Sequence, residues 1–247
     1  MKRVLFPTIF LSASLVASSQ GAAVLNWVTT NGDAGFSGGS EATNSPVTTD
    51  ATADTIVGSF PEATLGVGDV MVLTGSFVIT GNTGTINGNQ IRWGVFDAPA
   101  TPSTGNGSGY VGVWASASST ISTANGSTGN PFSGSASSPI VTETGGLPAF
   151  GTTYDFFLSI NRVDATQISV SGSLSNGGTD LISWPETTGP ASPASFTYDS
   201  VGFLIGGSTN ATQAAYSNVD VSVTSIPEPS TFLMGVLGFL GLIRRRR

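Results

Sequence analysis

Histidine and cysteine are both absent from this sequence, and that closes most of the familiar routes to catalysis. There is no Ser-His-Asp or Cys-His nucleophile system, no thiolate or imidazole zinc site, and no disulfide framework. Charge is scarce as well. Charged side chains make up 9% of the chain, against about a quarter in an average globular protein. Of the 8 Lys and Arg residues, Lys2, Arg3 and Arg244, Arg245, Arg246 and Arg247 lie at the two ends, which leaves Arg92 and Arg162 for everything between. A body of that sign repels phosphate backbones, so nucleic acid is excluded as a partner. No helical 3.6-residue period stands out between the ends and no internal repeat is visible, which argues against a helical bundle, a solenoid or a propeller.

What is present is glycine, serine, threonine and short apolar alternation. With 33 Gly and 13 Pro among 247 residues, the chain reads as strands joined by turns, and an all-β domain of some 200 residues is commonly a single unit. Phe156, Leu158 and Ile160 share one face of a strand. Ile168, Val170 and Leu174 alternate with Ser169, Ser171 and Ser173, and Val219, Val221 and Val223 alternate with Asp220, Ser222 and Thr224. Such strands bury one side and wet the other, as in antiparallel sandwiches. Further strands are expected near residues 24–30, 70–80, 90–97, 110–117, 181–184 and 196–206, making about nine, in the range of a two-sheet jelly roll. Residues 101–109 and 116–138 read as long polar loops.

The two ends carry targeting signals. Met1, Lys2 and Arg3 precede an apolar stretch from Val4 to Val16, interrupted by Pro7, Ser12 and Ser14, and a small-residue run from Ala17 to Ala23. This is the layout of a secretory signal peptide over residues 1–23, handled by the Sec machinery and signal peptidase, with cleavage between Gly21 and Val24. Residues 24–224 form the exported sandwich. Residues 225–247 hold Pro227, Glu228 and Pro229, then an uncharged stretch from Thr231 to Ile243, then the four arginines. The prolines remove backbone donors and hold the chain extended, as a segment lying in another protein's cleft requires. The apolar side chains surround the helix on all sides, so it reads as a transmembrane helix, with the arginines retained in the cytoplasm. As a helix those 13 residues span only about 20 Å, against a hydrocarbon core of about 30 Å, which suits a transient anchor in the inner membrane.

This three-part ending resembles the PEP-CTERM sorting signal. The resemblance implies recognition at Pro227, Glu228 and Pro229 by an exosortase, a membrane protease that cuts near the motif, so these residues belong to a substrate rather than to a catalyst. A second, looser resemblance is carried by Gly94-Val95-Phe96-Asp97, by the run from Tyr154 to Arg162, and by Tyr198 to Ile205 followed by Tyr216 to Val223. Over about residues 60 to 224 these phrases resemble concanavalin A-like lectin and glucanase jelly rolls.

The residues offer little for a site of that kind. Glycosidases of the fold use paired carboxylates about 5 Å apart, but Glu41, Glu62, Glu143 and Glu186 fall in expected loops or beside prolines, no two close in sequence. Calcium is the one metal the composition leaves room for, with Asn82, Asn87 and Asn89 near Asp97 as oxygen donors. The regular Asp-rich loop is missing and Asn87-Gly88 reads as a turn, so no metal and no cofactor is expected. Trp27, Trp93, Trp114 and Trp184 are the large aromatics. Core packing is the expected fate of Trp93 and Trp114, and Trp114 with Tyr110 is the pair for any glycan contact. Arg92 and Arg162 are expected to pair with nearby acids such as Asp97 and Asp164.

The chain thus reads as an exported, non-enzymatic protein of the cell surface or of an extracellular polysaccharide or biofilm matrix. A carbohydrate-binding lectin-like module is the alternative, and a degenerate glycoside hydrolase the third reading.

Overall fold

The computed structural model describes residues 18–22, 24–31, 47–50, 55–81, 91–97, 107–115, 118–125, 138–144, 146, 149–190, 195–205 and 211–225. Ser19–Ser225 forms one compact unit. The sorting motif, the expected transmembrane helix with Arg244 to Arg247, and Asn82, Asn87, Asn89 and Glu41 lie outside the described residues.

Fourteen strands occur among the described residues. They are β1 (Ser18–Ala22), β2 (Leu25–Asn31), β3 (Val47–Asp50), β4 (Thr55–Thr64), β5 (Val70–Gly81), β6 (Ile91–Asp97), β7 (Ser108–Trp114), β8 (Ser119–Asn125), β9 (Ser138–Glu143), β10 (Thr153–Arg162), β11 (Ile168–Asn176), β12 (Thr179–Thr188), β13 (Thr197–Ile205) and β14 (Ala211–Ser225). They build two seven-stranded sheets. The first runs β1-β14-β5-β10-β11-β12, with β3 also paired to β14; the second runs β2-β4-β13-β6-β7-β8-β9. The pairings β14–β5, β5–β10, β10–β11 and β13–β6 are antiparallel, which is the expected two-sheet sandwich. β1 lies within the segment read as the leader.

The core is the interleaved inner faces of the two sheets. Met71, Leu73, Phe77 and Ile79 of β5 and Tyr154, Phe156, Leu158 and Ile160 of β10 meet Trp93 and Val95 of β6 and Val201, Phe203 and Ile205 of β13 in one buried cluster. Alternation along β5 puts every second residue inside, the period a pleated strand imposes. Aromatic rings join the layers: Trp93 lies 5.8 Å from Phe156 and 5.9 Å from Trp184, and Phe156 lies 5.5 Å from Phe203 in an edge-on arrangement. The Trp184 indole N–H donates to the Ser119 carbonyl at 3.2 Å. A second, smaller apolar cluster of Phe96, Val111, Val113, Ala124 and Leu204 is also buried. These residues alternate with the inward ones along β6, β7, β8 and β13, so that sheet carries an apolar patch on its outer face as well.

Two sequence expectations need correcting. The stretch from Ser116 to Ser138, read as one polar loop, contains strand β8, whose Ser119, Ser122 and Ala124 are buried. Its small hydroxyl side chains are accommodated because Ser119 bonds the main chain of Ala115 and Ser122 bonds Thr120. The stretch from Thr101 to Gly109 likewise ends inside β7, whose first residue is Ser108.

The buried tyrosines make two testable statements. The Tyr216 hydroxyl is buried and without a hydrogen-bond partner, while its ring stacks on Phe203 at 4.3 Å. Removing an orphaned buried hydroxyl and keeping the ring recovers its desolvation cost, so Tyr216→Phe is expected to raise stability by about 1 kcal/mol in urea titrations. Tyr198 differs, because its hydroxyl donates to the Ser195 carbonyl at 2.7 Å, and Tyr198→Phe is expected to lose a similar amount. Burial also pushes both phenols well above the ordinary tyrosine value of 10.0. The unfolded chain releases these protons near pH 10 while the folded chain keeps them. Stability is therefore complete below about pH 10 and falls as the pH rises beyond it. The alkaline limb of a stability-against-pH curve is expected to be shallower in Tyr216→Phe, and an unchanged limb would contradict this assignment.

Candidate functional site

The outer face of the first sheet carries mostly small polar side chains, interrupted along β5 by the half-buried Val70, Val72 and Val78. The registers align Ser217, Ser76, Asp155, Ser175 and Asp180 in one row across β14, β5, β10, β11 and β12, and Asp220, Thr74, Phe157, Ser173 and Ser183 in the next. Phe157 is the one ring in these two rows. It points outward because Phe156 and Leu158 on either side of it point into the core. Its cross-strand neighbours Thr74 and Ser173 are small, and the ring stays half-buried between them.

A depression of about 350 Å³ opens on this face, lined among others by Thr74, Ser76, Asp155, Phe157, Ser173 and Asn218. Its shape follows from a bulge in β14. Ser217 faces Ser76 and Asp220 faces Thr74, so Asn218 and Val219 together stand opposite the single Gly75. Asn218 adopts φ 53°, a left-handed conformation that asparagine tolerates better than most residues. Such bulges bend a strand and re-aim a side chain, and this one turns the exposed Asn218 toward the depression. Gly75 completes the arrangement from below, since a Cβ there would stand 2.5 Å from the Phe156 ring. On the far wall the Ser76 hydroxyl donates to one oxygen of Asp155 at 2.7 Å, which fixes the carboxylate.

A second polar group lies on the same face between β10, β11 and β12. There the Ser169 hydroxyl donates to Glu186 at 2.5 Å and the Asn161 amide approaches the same oxygen at 3.4 Å. At one end of the sandwich Arg162 donates to the carbonyls of Leu65 at 2.6 Å and Asp164 at 3.2 Å, with its guanidinium 3.9 Å over the Phe196 ring. The expected pairing with Asp164 is thus made through that residue's main chain. The Asp164 carboxyl is held below the ordinary carboxylate value chiefly by hydrogen bonds from the Thr166 main chain and hydroxyl. Burial pulls the Arg92 guanidinium below its ordinary value.

The aromatic pair singled out from the sequence sits elsewhere. Tyr110 is 0% and Trp114 is 2% exposed, and Trp114 packs edge-on against Tyr154 at 5.0 Å. Both alternate onto the inner face of their sheet, where no surface ligand reaches a ring face, so they are core residues. Trp93 and Trp184 are buried as well, and Trp27 is half-buried against Phe203 at 5.9 Å. Three of the glutamates lie in strands rather than in loops: Glu62 in β4, Glu143 at the end of β9 and Glu186 in β12. Between β4 and β9 there are five strand spacings, about 24 Å at 4.8 Å each, so Glu62 and Glu143 do not make a catalytic pair. Asp97 accepts a hydrogen bond from Ser195 at 2.8 Å. Among the described residues no three carboxylates converge on one point.

Comparison with known proteins gives two findings. Residues 225–247 match a family model described as the PEP-CTERM protein-sorting motif. No curated protein matches the chain. Among solved structures, basic winged bean lectin with Tn-antigen is 10% identical with a TM-score of 0.53, over 86% of this chain and 100% of that one. Winged bean acidic lectin complexed with methyl-α-D-galactose is 11% identical with a TM-score of 0.50, again over 86% and 100%. An alginate lyase is 13% identical with a TM-score of 0.41, over 83% and 97%. At these identities the likeness establishes the concanavalin A-like lectin fold and nothing about ligand or reaction.

Proposed function

We propose that this chain is an exported protein of the cell envelope, cut at Pro227-Glu228-Pro229 by an exosortase, whose sandwich then serves in the extracellular polysaccharide matrix without catalysis. The observation that carries the proposal is the position of the sorting motif. It begins at residue 225, and Ser225 is also the last residue of β14. A cut at the motif therefore leaves the C-terminal strand β14 intact, and leader removal takes only the edge strand β1. Residues 1–23 act as the leader, and the apolar stretch from Thr231 to Ile243 holds the precursor briefly in the inner membrane while the arginines stay inside. Expression in a host lacking an exosortase is expected to leave a C-terminal tag on membrane-bound protein, and co-expression of the protease to remove it. Loss of the tag in both hosts would contradict this reading.

A carbohydrate-binding role is the second reading, and the winged bean lectins of the same fold, in complex with Tn-antigen and with a methyl galactoside, favour it. The polar outer face of the β14-β5-β10-β11-β12 sheet supports it independently, since it offers hydroxyls, a carboxylate, an amide and one ring.

A further inference from the structure

We infer that the depression on the outer face of the β14-β5-β10-β11-β12 sheet is a binding site for a neutral pyranose chain, with Phe157, Asp155 and Asn218 as its contacts. The assignment rests on the carbohydrate-binding reading and gives it a place and a ligand class. A sugar ring has an apolar C–H face and a rim of hydroxyls, so a site for one needs accessible apolar ring surface beside fixed hydrogen-bonding groups. Phe157 supplies the ring, half-buried in the wall of the depression between the small residues Thr74 and Ser173. Asp155 supplies an acceptor whose geometry is set by Ser76 at 2.7 Å, leaving its second oxygen for a sugar hydroxyl. Asn218 supplies an amide that can donate and accept. It is carried on a left-handed bulge that a regular strand would not contain. The volume of about 350 Å³ falls at the small end of the range for ligand sites, as a site for one or two rings requires.

The charge on this face decides between neutral and acidic chains. Asp155, Asp180 and Asp220 stand in the same two rows as the depression, and neither row holds a lysine or arginine. At physiological salt a charge acts over about 8 Å, nearly two strand spacings, so a uronate or sulfate on the ligand would meet repulsion from several carboxylates. A neutral chain meets none.

Affinity electrophoresis of the full chain tests this, with dextran, galactomannan or hydroxyethyl cellulose as neutral probes and polygalacturonate as the acidic one. Retardation is expected in at least one neutral gel and not in polygalacturonate. Asn218→Gly keeps the backbone conformation and removes only the amide, so its thermal midpoint is expected to be unchanged while its affinity falls about tenfold, the loss a charge-free hydrogen-bond pair and its ordering can account for. Asp155→Asn and Phe157→Ala are expected to fall at least as far. Neutral binding that survives all three substitutions would overturn this site and leave the carbohydrate-binding reading standing. Binding to polygalacturonate alone would overturn the neutral assignment. No retardation of the wild-type chain in any gel would overturn the site and the reading together. A mass that doubles with concentration, and does so only while Phe157 is present, would give the face to a second copy instead.

Discussion

Phe77→Ala is expected to remove about 3–5 kcal/mol of folding stability, the cost of deleting a fully buried ring whose surroundings cannot collapse into the space. Phe77 is 1% exposed and stands at the centre of the aromatic core. Its ring centroid lies 5.6 Å from Tyr154, 6.1 Å from Tyr216, 6.3 Å from Trp114 and Phe156, and 6.5 Å from Trp93. These rings come from β5, β6, β7, β10 and β14, so the substitution loosens both sheets at once. Large flat rings held by one another also relax poorly, which places the cost toward the upper end. Against a total stability of about 5–15 kcal/mol the variant would be marginal, and its thermal midpoint is expected to fall on the order of 10 °C. Urea unfolding of the two proteins measures the difference, and a loss under about 1 kcal/mol would show that the ring is not central to the core.

The second large effect is on processing. Replacing Pro227, Glu228 and Pro229 together by alanine is expected to reduce the shortened, extracellular form to background and to trap full-length protein in the membrane. The three residues come just after the last strand and lie within the stretch that matches the sorting motif. Alanine restores the backbone N–H groups that the prolines withhold, lets the segment go helical, and deletes the carboxylate. The sandwich ends at Ser225, so its stability is expected to be unaffected, and urea midpoints of the two exported domains should coincide. Undiminished release of the triple variant would mean that the motif is not what the processing enzyme recognises.

Much of the fold was legible because half-buried strands write their period into the sequence. Each of the nine strand regions expected from alternation contains a strand, and the residues named on one face of β10, Phe156, Leu158 and Ile160, are all buried. The strands that escaped notice lack that period for physical reasons. In β4 the residues from Thr55 to Gly58 are buried in succession, so no alternation marks them. In β8 the buried positions are filled by serines and an alanine alongside Ile121, so a strand looks like a loop.

The candidate site was less legible, because serine, threonine and aspartate on a sheet face look the same as any solvated surface. Two signals were nevertheless present. An inward Phe156 and Leu158 oblige Phe157 to stand on the polar face, which singles out one ring. In β14 the inward residues are Ala214 and Tyr216 on even positions, and then Val219, Val221 and Val223 on odd ones, five residues of which Ala214, Tyr216 and Val221 are buried outright. That change of parity marks a one-residue bulge, and the bulge is what aims Asn218. Trp93 and Trp114 are in the core as expected, and the glycan contact weighed for Trp114 and Tyr110 falls because large aromatics suit a sugar platform and a sandwich core alike and only the sheet face decides.

The measurement that bears most directly on the central claim is the intact mass of the protein recovered from its native host, taken separately from membrane and extracellular fractions. An extracellular form that starts between Gly21 and Val24, ends between Ser225 and Ser230, and lacks the apolar stretch and arginine tail is the predicted result. Full-length protein through Arg247, found in membranes with no shortened form outside, would contradict it.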